Sequence, residues 1–474
     1  MQCLKYLWLQ VNQPDAVPKP DARTQHLFDQ GHLVQEFAEK LFPDGVRVPE
    51  SSFRGSIDHT LKMLKEGRPF FEAGILADNI YSRIDVFRPA NDGSWDIIEV
   101  KSSTRVKDEN VHDVSFQKLC CEKRGLSINR CHLMHINNKY VKHGEIDPLR
   151  LFLMEDISEQ VAEAAIGIED RVDTMLAVMK SKAPPDGRVD TRCSNPYECP
   201  VTICREALPD NNILDLYRGT GKGFDLLYQG IRFLRDIPET VKLSEPQQRQ
   251  KWCDANSCAY VDGAAIKTFL KSLKYPVHYL DFETFGTAIP LLDGTRPYQQ
   301  VPFQFSLHTV DKPGAIAWPD GFLADGPDDP RPKFIQELQR LIGKKGSIVV
   351  YNQSFEQGIL NELAEAFPDY RDWVDGVCAR MVDLLMPFRS FSYYHPEQKG
   401  SASIKAVMPA LAGRGYDGLD IAVGDEASLA YLDMTYGDMS PEEKAKTRAD
   451  LETYCGRDTE GMVWIVDALK GLSS

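Results

Sequence analysis

Two stretches of the chain gather acidic side chains at spacings that suit divalent ions. Asp281 and Glu283 flank Phe282 just after the apolar run 276–280. On a β-strand alternate side chains share a face, so these two carboxylates point the same way. Like charges held together at the end of a buried strand need a counter-charge. A hard cation such as Mg2+ or Mn2+ supplies one through oxygen ligands. A solvated strand end is the alternative for the pair taken alone. Earlier in the chain, Asp85 lies in the alternating segment 80–87, and Glu99 and Lys101 lie in 95–102. Across a hairpin these give two carboxylates for a metal ion and an ammonium that can orient a nucleophile or stabilise developing charge. A surface ion pair between Glu99 and Lys101 is the alternative there.

The surrounding pattern supplies elements to carry these groups. Segment 31–42 has apolar residues at Leu33, Val34, Phe37, Ala38, Leu41 and Phe42, a helical spacing ended by Pro43-Asp44-Gly45. Asn91-Asp92-Gly93-Ser94 is a hairpin turn signal between two strand-like runs. Segment 111–125 reads as a helix carrying Gln117, and a strand–strand–helix order brings that amide towards the site, with a solvated glutamine as the alternative. Further on, 302–308 reads as an alternating strand, 334–342 as an amphipathic helix and 347–351 as a buried strand running into Asn352. Glu356 then opens a helix, where its charge suits the N-terminus. In 451–458, Tyr454 and Asp458 are four residues apart and share one helix face. Between the halves, about 205–271 is polar and helical, with loops at 219–223 and at Pro246. Gly-Thr-Gly-Lys-Gly in that stretch lacks P-loop spacing and reads as a turn.

The chain has 474 residues, enough for two or three domains, and a net charge of −15. That charge argues against coating nucleic acid by electrostatics alone, while leaving open an enzyme whose carboxylates hold metals. No stretch approaches the roughly 18 apolar residues of a membrane span. The N-terminus lacks a signal-peptide pattern. The expectation is a cytoplasmic protein with no membrane partner. Eleven cysteines without an export signal argue for metal or cluster ligation over disulfides. Cys193, Cys199 and Cys204 crowd one turn-rich segment and need a fourth ligand, for which Cys3 is the candidate. Cys120 and Cys121 read as packing residues. Cys131, Cys253, Cys258, Cys378 and Cys455 show no ligand spacing.

Asp85, the Glu99-Val100-Lys101 triplet and Gln117 together resemble the PD-(D/E)XK nuclease core of the RecB type. The resemblance implies a restriction-endonuclease-like mixed sheet with flanking helices and metal-dependent cleavage of DNA. RecB-like nucleases with an iron–sulfur cluster take one cysteine before the core and three after it. This implies a four-iron–four-sulfur cluster on Cys3, Cys193, Cys199 and Cys204, with Zn2+ as the alternative. The family often has a histidine four residues after a helix glycine. Here Gly31 is followed at that distance by Gln35, and His32 is out of phase.

The second half is similar to DnaQ-like exonucleases of the DEDD type, Tyr subclass, on an RNase H-like α/β fold. Asp281, Glu283 and Asp458 match that pattern directly, Tyr454 sets the subclass, and Glu356 stands where an aspartate is usual. The resemblance implies Mg2+ or Mn2+ held by these acids, with Tyr454 orienting the attacking water. As a whole the chain resembles bacterial proteins that join the two modules. The expected organisation is an α/β protein with a nuclease domain over 1–205, a helical linker over 206–271 that spaces the domains or touches DNA, and an exonuclease domain over 272–474. The expected function is a two-site metal-dependent nuclease acting on DNA, on single-stranded or free ends. Alternatives are an RNA-trimming exonuclease and a non-catalytic nucleic-acid-binding scaffold.

Overall fold

A computed structural model describes residues 2–49 and 52–473. The chain forms two compact units, one of Met1–Gly187 with Gly286–Gln299 and one of Arg188–Phe285 with Gln300–Ser474. Both are α/β, each built on a mixed sheet flanked by helices. Among the described residues no helix is long and apolar enough to cross a membrane.

In the first unit the Asn-Asp-Gly-Ser turn joins β3 (Ile80–Pro89) to β4 (Trp95–Lys101) as an antiparallel pair. With β1 (Val46–Arg47), β2 (Phe70–Ala77), β5 (Ile128–Ile136) and β6 (Phe152–Asp156) they form one six-stranded sheet in the order β1-β2-β3-β4-β5-β6. Along β3 the pattern alternates: Ile80, Ser82, Ile84 and Val86 are buried, while Tyr81, Arg83 and Asp85 reach the accessible face. Helix α1 (Ala22–Glu39) starts earlier than its apolar spacing alone marks, because Asp21 caps it by accepting the Thr24 amide. Its Val34 and Ala38 pack with Phe71, Val86 and Ile98. A second cluster buries Phe70, Ile84 and Ile97 with Val114 of α3 (Asp108–Lys123). Helix α2 (Phe53–Met63) packs on β2.

Residues 286–299 belong to this unit although they follow directly on a strand of the other. Ala288 and Ile289 join the core around Val34, and backbone bonds tie Lys142 to Gly294 and Thr295 at 2.8 and 3.0 Å. Chain order hides this excursion, so the compact units differ from a division at 205/206 and 271/272.

The second unit includes the polar stretch read as a linker. Its two loop signals are the first turns of helices, α4 (Thr220–Tyr228) and α5 (Glu245–Asn256). Pro246 sits where a helix tolerates proline, because the first-turn amides have no intrahelical partner. Lys222 donates to the Lys242 carbonyl at 2.7 Å, tying the glycine-rich turn to its own surroundings.

The five-stranded sheet of this unit runs β9-β8-β7-β10-β11, with β7 (Val277–Phe285) at its centre. Antiparallel β8 (Val301–Val310) and β9 (Trp318–Leu323) lie on one side, parallel β10 (Ser347–Val350) and β11 (Met381–Asp383) on the other. Burial on both faces makes β8 a nearly continuous buried strand rather than an alternating one. Helices α6 (Arg331–Leu341) and α7 (Gln353–Ala366) pack on one face around Phe334, Ile335 and Leu360. The other face meets α8 (Ile404–Ala412) and the 32-residue α10 (Pro441–Leu472), with α9 (Gly424–Tyr436) against β7 and α10.

Candidate metal centres

In the first unit the strand register does the positioning. Val86 pairs with Ile98 across β3 and β4, so Asp85 and Glu99 stand one step beyond the last pair of that ladder. Asp85 accepts the Val100 amide at 2.8 Å. Glu99 is buried at 5% exposure, with one oxygen 2.7 Å from Lys101 Nζ and the other accepting from Gln117 Nε2 at 2.7 Å. Lys101 also reaches Asp113 at 3.2 Å. The Glu99–Lys101 pair therefore exists, but as a buried carboxylate held from both sides rather than a surface contact. Burial and the Glu99 charge push Asp85 well above the usual carboxylate range, against the Val100 hydrogen bond. Burial pulls Lys101 down, yet Glu99 and Asp113 outweigh it and hold the ammonium above its usual value.

Two further groups belong here. Glu72 on β2 is buried, has φ +62° and lies in register opposite Asp85, between the Phe71–Val86 and Ala73–Ile84 pairs. Gln35 of α1 donates to one Glu72 oxygen, and Arg83 pairs with the other. Gln35, four residues after Gly31, thus reaches the site as an amide bound to a carboxylate.

In the second unit the cross-strand partners of the acidic pair fasten the last helix beneath it. Glu283 pairs with Gln304 and Asp281 with Ser306. Gln304 donates to the Leu451 carbonyl at 2.9 Å, and Ser306 Oγ meets Thr459 Oγ1 at 2.7 Å. Both anchors lie on α10, so its Tyr454, Cys455 and Asp458 are carried to the β7 carboxylates. Ligand atoms of Asp281, Glu283 and Cys455 lie within 4.8 Å of one another, close enough to share one ion. Glu356 is 2% exposed in the first turn of α7, and its Oε2 has no hydrogen-bond partner. Nearby Asp383 is fixed by the amides of Asn352 and Leu385, at 3.1 and 2.9 Å.

The electrostatics follow from this crowding. Burial, then the charges of Asp458, Glu283 and Glu356, push Asp281 well above the usual range, with Lys405 opposing. Glu283 is pushed up by burial and by Asp458. Burial raises Glu356 to about 8, with Asp383 adding to it. Asp458 rises to about 6 through burial, restrained by hydrogen bonds from Tyr416 and Tyr454 and by the charge of Lys405. Both phenols are pushed up by burial and the surrounding carboxylates, so they are neutral donors at neutral pH. The Cys455 thiol is raised for the same reasons and keeps its proton. A buried carboxylate oxygen without a donor, facing charges of its own sign, is the setting in which a divalent cation is the natural counter-ion. Asp281, Glu283, Glu356 and Asp458 fit that role by ligand type.

Four groups around this centre escape a reading of motifs. Tyr416 donates to Asp458. Lys405 lies over the rings of Tyr416 and Tyr454, 5.5 and 5.4 Å from their centroids, and donates to Ala422 at 2.6 Å. Gly424 opens α9 so close that an added Cβ would stand 3.7 Å from Glu283 Oε2 and 3.8 Å from the Tyr454 hydroxyl. Cys455 shows no ligand spacing in the sequence, but it is three residues from Asp458 on a helix and shares its face.

The cysteine set divides between the units. Cys3 precedes the helix Leu4–Asn12 in the first, while Cys193, Cys199 and Cys204 lie half-buried in the second. The Cys199 amide donates to the Cys193 carbonyl at 2.8 Å. A closed tetrahedral zinc site needs its thiolates about 4 Å apart. Among the described residues these three make no group of that tightness.

Residues 278–403 match the family described as "Domain of unknown function (DUF2779)". That match covers β7 to the start of α8, with Asp281, Glu283 and Glu356 inside it and Tyr454 and Asp458 beyond it. The chain is 27% identical over 233 residues to "Uncharacterized protein MG366 homolog" of Mycoplasma pneumoniae, covering 45% of this chain and 35% of that protein. It is 26% identical over 227 residues to "Uncharacterized protein MG366" of Mycoplasma genitalium, 43% and 33% of the two chains. It is 26% identical over 231 residues to "Uncharacterized protein UU173" of Ureaplasma parvum, 44% and 33%. The matched region thus spans about a third of the length of these relatives. No solved structure matches.

Proposed function

We propose that this chain is a cytoplasmic, metal-dependent nuclease with two sites, a PD-(D/E)XK-like site in the first unit and a DEDD-like site in the second, acting on DNA at single-stranded or free ends. The observation that carries the reading is the meeting of Asp281, Glu283 and Cys455, with ligand atoms within 4.8 Å of one another, where the charges of Asp458 and Glu356 also bear on Asp281. Asp281, Glu283, Glu356 and Asp458 would hold Mg2+ or Mn2+, and Asp85 and Glu99 would do so in the first unit. Such ions supply Lewis-acid activation of water and neutralise charge on the scissile phosphate. The protein's own part is positional. Tyr454 stays a neutral phenol, so it orients water by donating or accepting a hydrogen bond and does not act as the base. Tyr416 fixes Asp458 from the other side. Lys101, held cationic beside Glu99, is placed to meet a phosphate oxygen or an attacking water.

One observation favours a second reading for the first unit. Both Glu99 oxygens are already engaged, by Lys101 and by Gln117. A unit that binds nucleic acid without cutting it has no need to release them. The test uses the full chain with Mn2+ and end-labelled single-stranded DNA and RNA side by side. Asp281→Ala and Lys101→Ala are each expected to remove one separable cleavage pattern, at least about a hundredfold in rate, since transition-state charge stabilisation worth several kcal/mol is lost. If Asp281→Ala alone ends all cleavage, the first unit only binds. If both variants degrade every substrate as the wild type does, the assignment of both sites falls.

A further inference from the structure

The accessible face of β3 continues beyond Asp85. Tyr81, Arg83 and Asp85 are successive outward residues on that strand, about 6.6 Å apart at strand spacing. One such step matches the reach of one nucleotide in an extended single strand. Tyr81 and Arg83 line a cavity of about 270 Å³, together with Glu72 and with Ser52, Phe53 and Ser56 at the start of α2. Phe53 is 56% exposed, and its ring lies 4.8 Å from that of Tyr81 at 57°. An exposed aromatic beside a second ring at a cavity mouth is a stacking surface for a flat ligand. The cavity also has an anion-binding end. Ser52 caps the 11-residue α2 by accepting the Gly55 amide, which sets the helix N-terminus at the wall. The Arg83 side chain is half-exposed and held in place by Glu72. Glu72 would repel a phosphate if it stood alone, but Arg83 and Gln35 both engage it.

We propose that this cavity is a nucleotide subsite, in which a base of single-stranded nucleic acid stacks on Phe53 and Tyr81 while the phosphate between it and the Asp85–Glu99–Lys101 centre meets Arg83 and the α2 N-terminus. The proposal rests on reading that centre as a nuclease site. It gives the site a register: the strand runs along β3, and the seated base is one or two nucleotides from the bond placed at Asp85. The recognised chemistry is a base on a sugar–phosphate, common to DNA and RNA, with no sequence readout, because every base offers a flat face.

The experiment measures binding of the full chain, in Ca2+ to hold cleavage off, to short single strands carrying 2-aminopurine near the 5′ or the 3′ end, as deoxy and as ribo probes. Stacking quenches 2-aminopurine fluorescence. The wild type is expected to quench the probe of one end. Phe53→Ala, an exposed position that leaves the core intact, is expected to relieve the quench and weaken binding roughly tenfold, the loss typical of one stacked ring. Tyr81→Ala should do the same. Arg83→Gln should lower the slope of log affinity against log salt by about 0.7, one phosphate contact on a single strand. Quench and affinity unchanged in Phe53→Ala and Arg83→Gln would overturn the subsite, even if Tyr81→Ala unfolds. Parallel digestions in Mn2+ separate the two ideas. Aromatic-dependent quenching with no cleavage sensitive to Lys101→Ala keeps the subsite and ends the nuclease reading of that unit. Lys101-dependent cleavage with Phe53→Ala binding as the wild type does the reverse.

Discussion

The two acidic centres solve the same electrostatic problem in opposite ways. In the first unit each carboxylate is given a partner from the chain: Lys101 and Gln117 for Glu99, Arg83 and Gln35 for Glu72, the Val100 amide for Asp85. In the second, Asp281, Glu283 and Asp458 share the charge of Lys405, and Glu356 keeps an oxygen with no donor at all. A centre whose carboxylates each have a partner from the chain carries less surplus charge, although burial and Glu99 still hold Asp85 well above its usual range. A centre left with surplus negative charge must take up protons or cations to stay folded. The difference predicts that stability of the second unit, with four such carboxylates, depends on pH and on divalent ions more than that of the first, where Asp85 is the one raised well above its range.

The largest expected effect comes from Glu356. Its folded value, about 8, lies above the ordinary glutamate value of 4.5. The native state therefore holds a proton that the unfolded chain releases. Stability is present in full below the unfolded value and falls as pH rises from about 4.5 to about 8. The loss is about 5 kcal/mol for a shift of that size. In chelator, Glu356→Gln should lose clearly fewer degrees between pH 5 and pH 8 than the wild type, keeping only the part due to Asp281, Glu283 and Asp458. Saturating Mn2+ should return much of the loss to the wild type, about 2.7 kcal/mol at a hundredfold excess over Kd. Equal pH dependence in wild type and Glu356→Gln would break the contrast between the centres.

A smaller effect probes the balanced side. Gln35→Leu takes one donor from the buried Glu72, whose other oxygen keeps Arg83. The expected cost is about 1.5 kcal/mol, the value of a hydrogen bond to a charged group, and it should be the same in chelator and in Mn2+. A cost that Mn2+ removes would show that Glu72 faces an ion after all, and the first centre would join the second in kind.

Much of this was legible in the chain. The turn at 91–94 and the alternation on either side fix the β3–β4 register, and with it the meeting of Asp85 and Glu99. Asp281-x-Glu283 and Tyr454-x-x-x-Asp458 name most of the second centre because their periods are those of a strand and a helix. What was hidden is hidden for physical reasons. Glu72 lies in an apolar strand with φ +62°, and nothing in the local pattern marks a buried acid there. Tyr416 reaches Asp458 from 42 residues away, on a loop that no local pattern ties to the last helix. The excursion 286–299 leaves its own strand to pack in the other unit, a choice made by Ala288 and Ile289 finding a core there. The helix starts at 220 and 245 read as loops because glycine and proline mark first turns as well as breaks.

The finest test of the comparison is Lys405. Its ammonium is the chain's own partial answer to the surplus charge on β7 and α10, and it competes with any cation that binds there. Removing it should make the second centre bind ions more tightly while leaving the ion-free fold weaker. For Lys405→Met, which keeps the aliphatic stem against Tyr416 and Tyr454, calorimetric titration should show Mn2+ affinity raised about fivefold, close to 1 kcal/mol for like charges in a partly solvated site. The opposite sign, affinity lost with the lysine, would mean that Lys405 works by holding Ala422 and hence the Tyr416 loop in place. In that case the second centre, like the first, would owe its shape to a side-chain partner, and the contrast between the two would be one of degree.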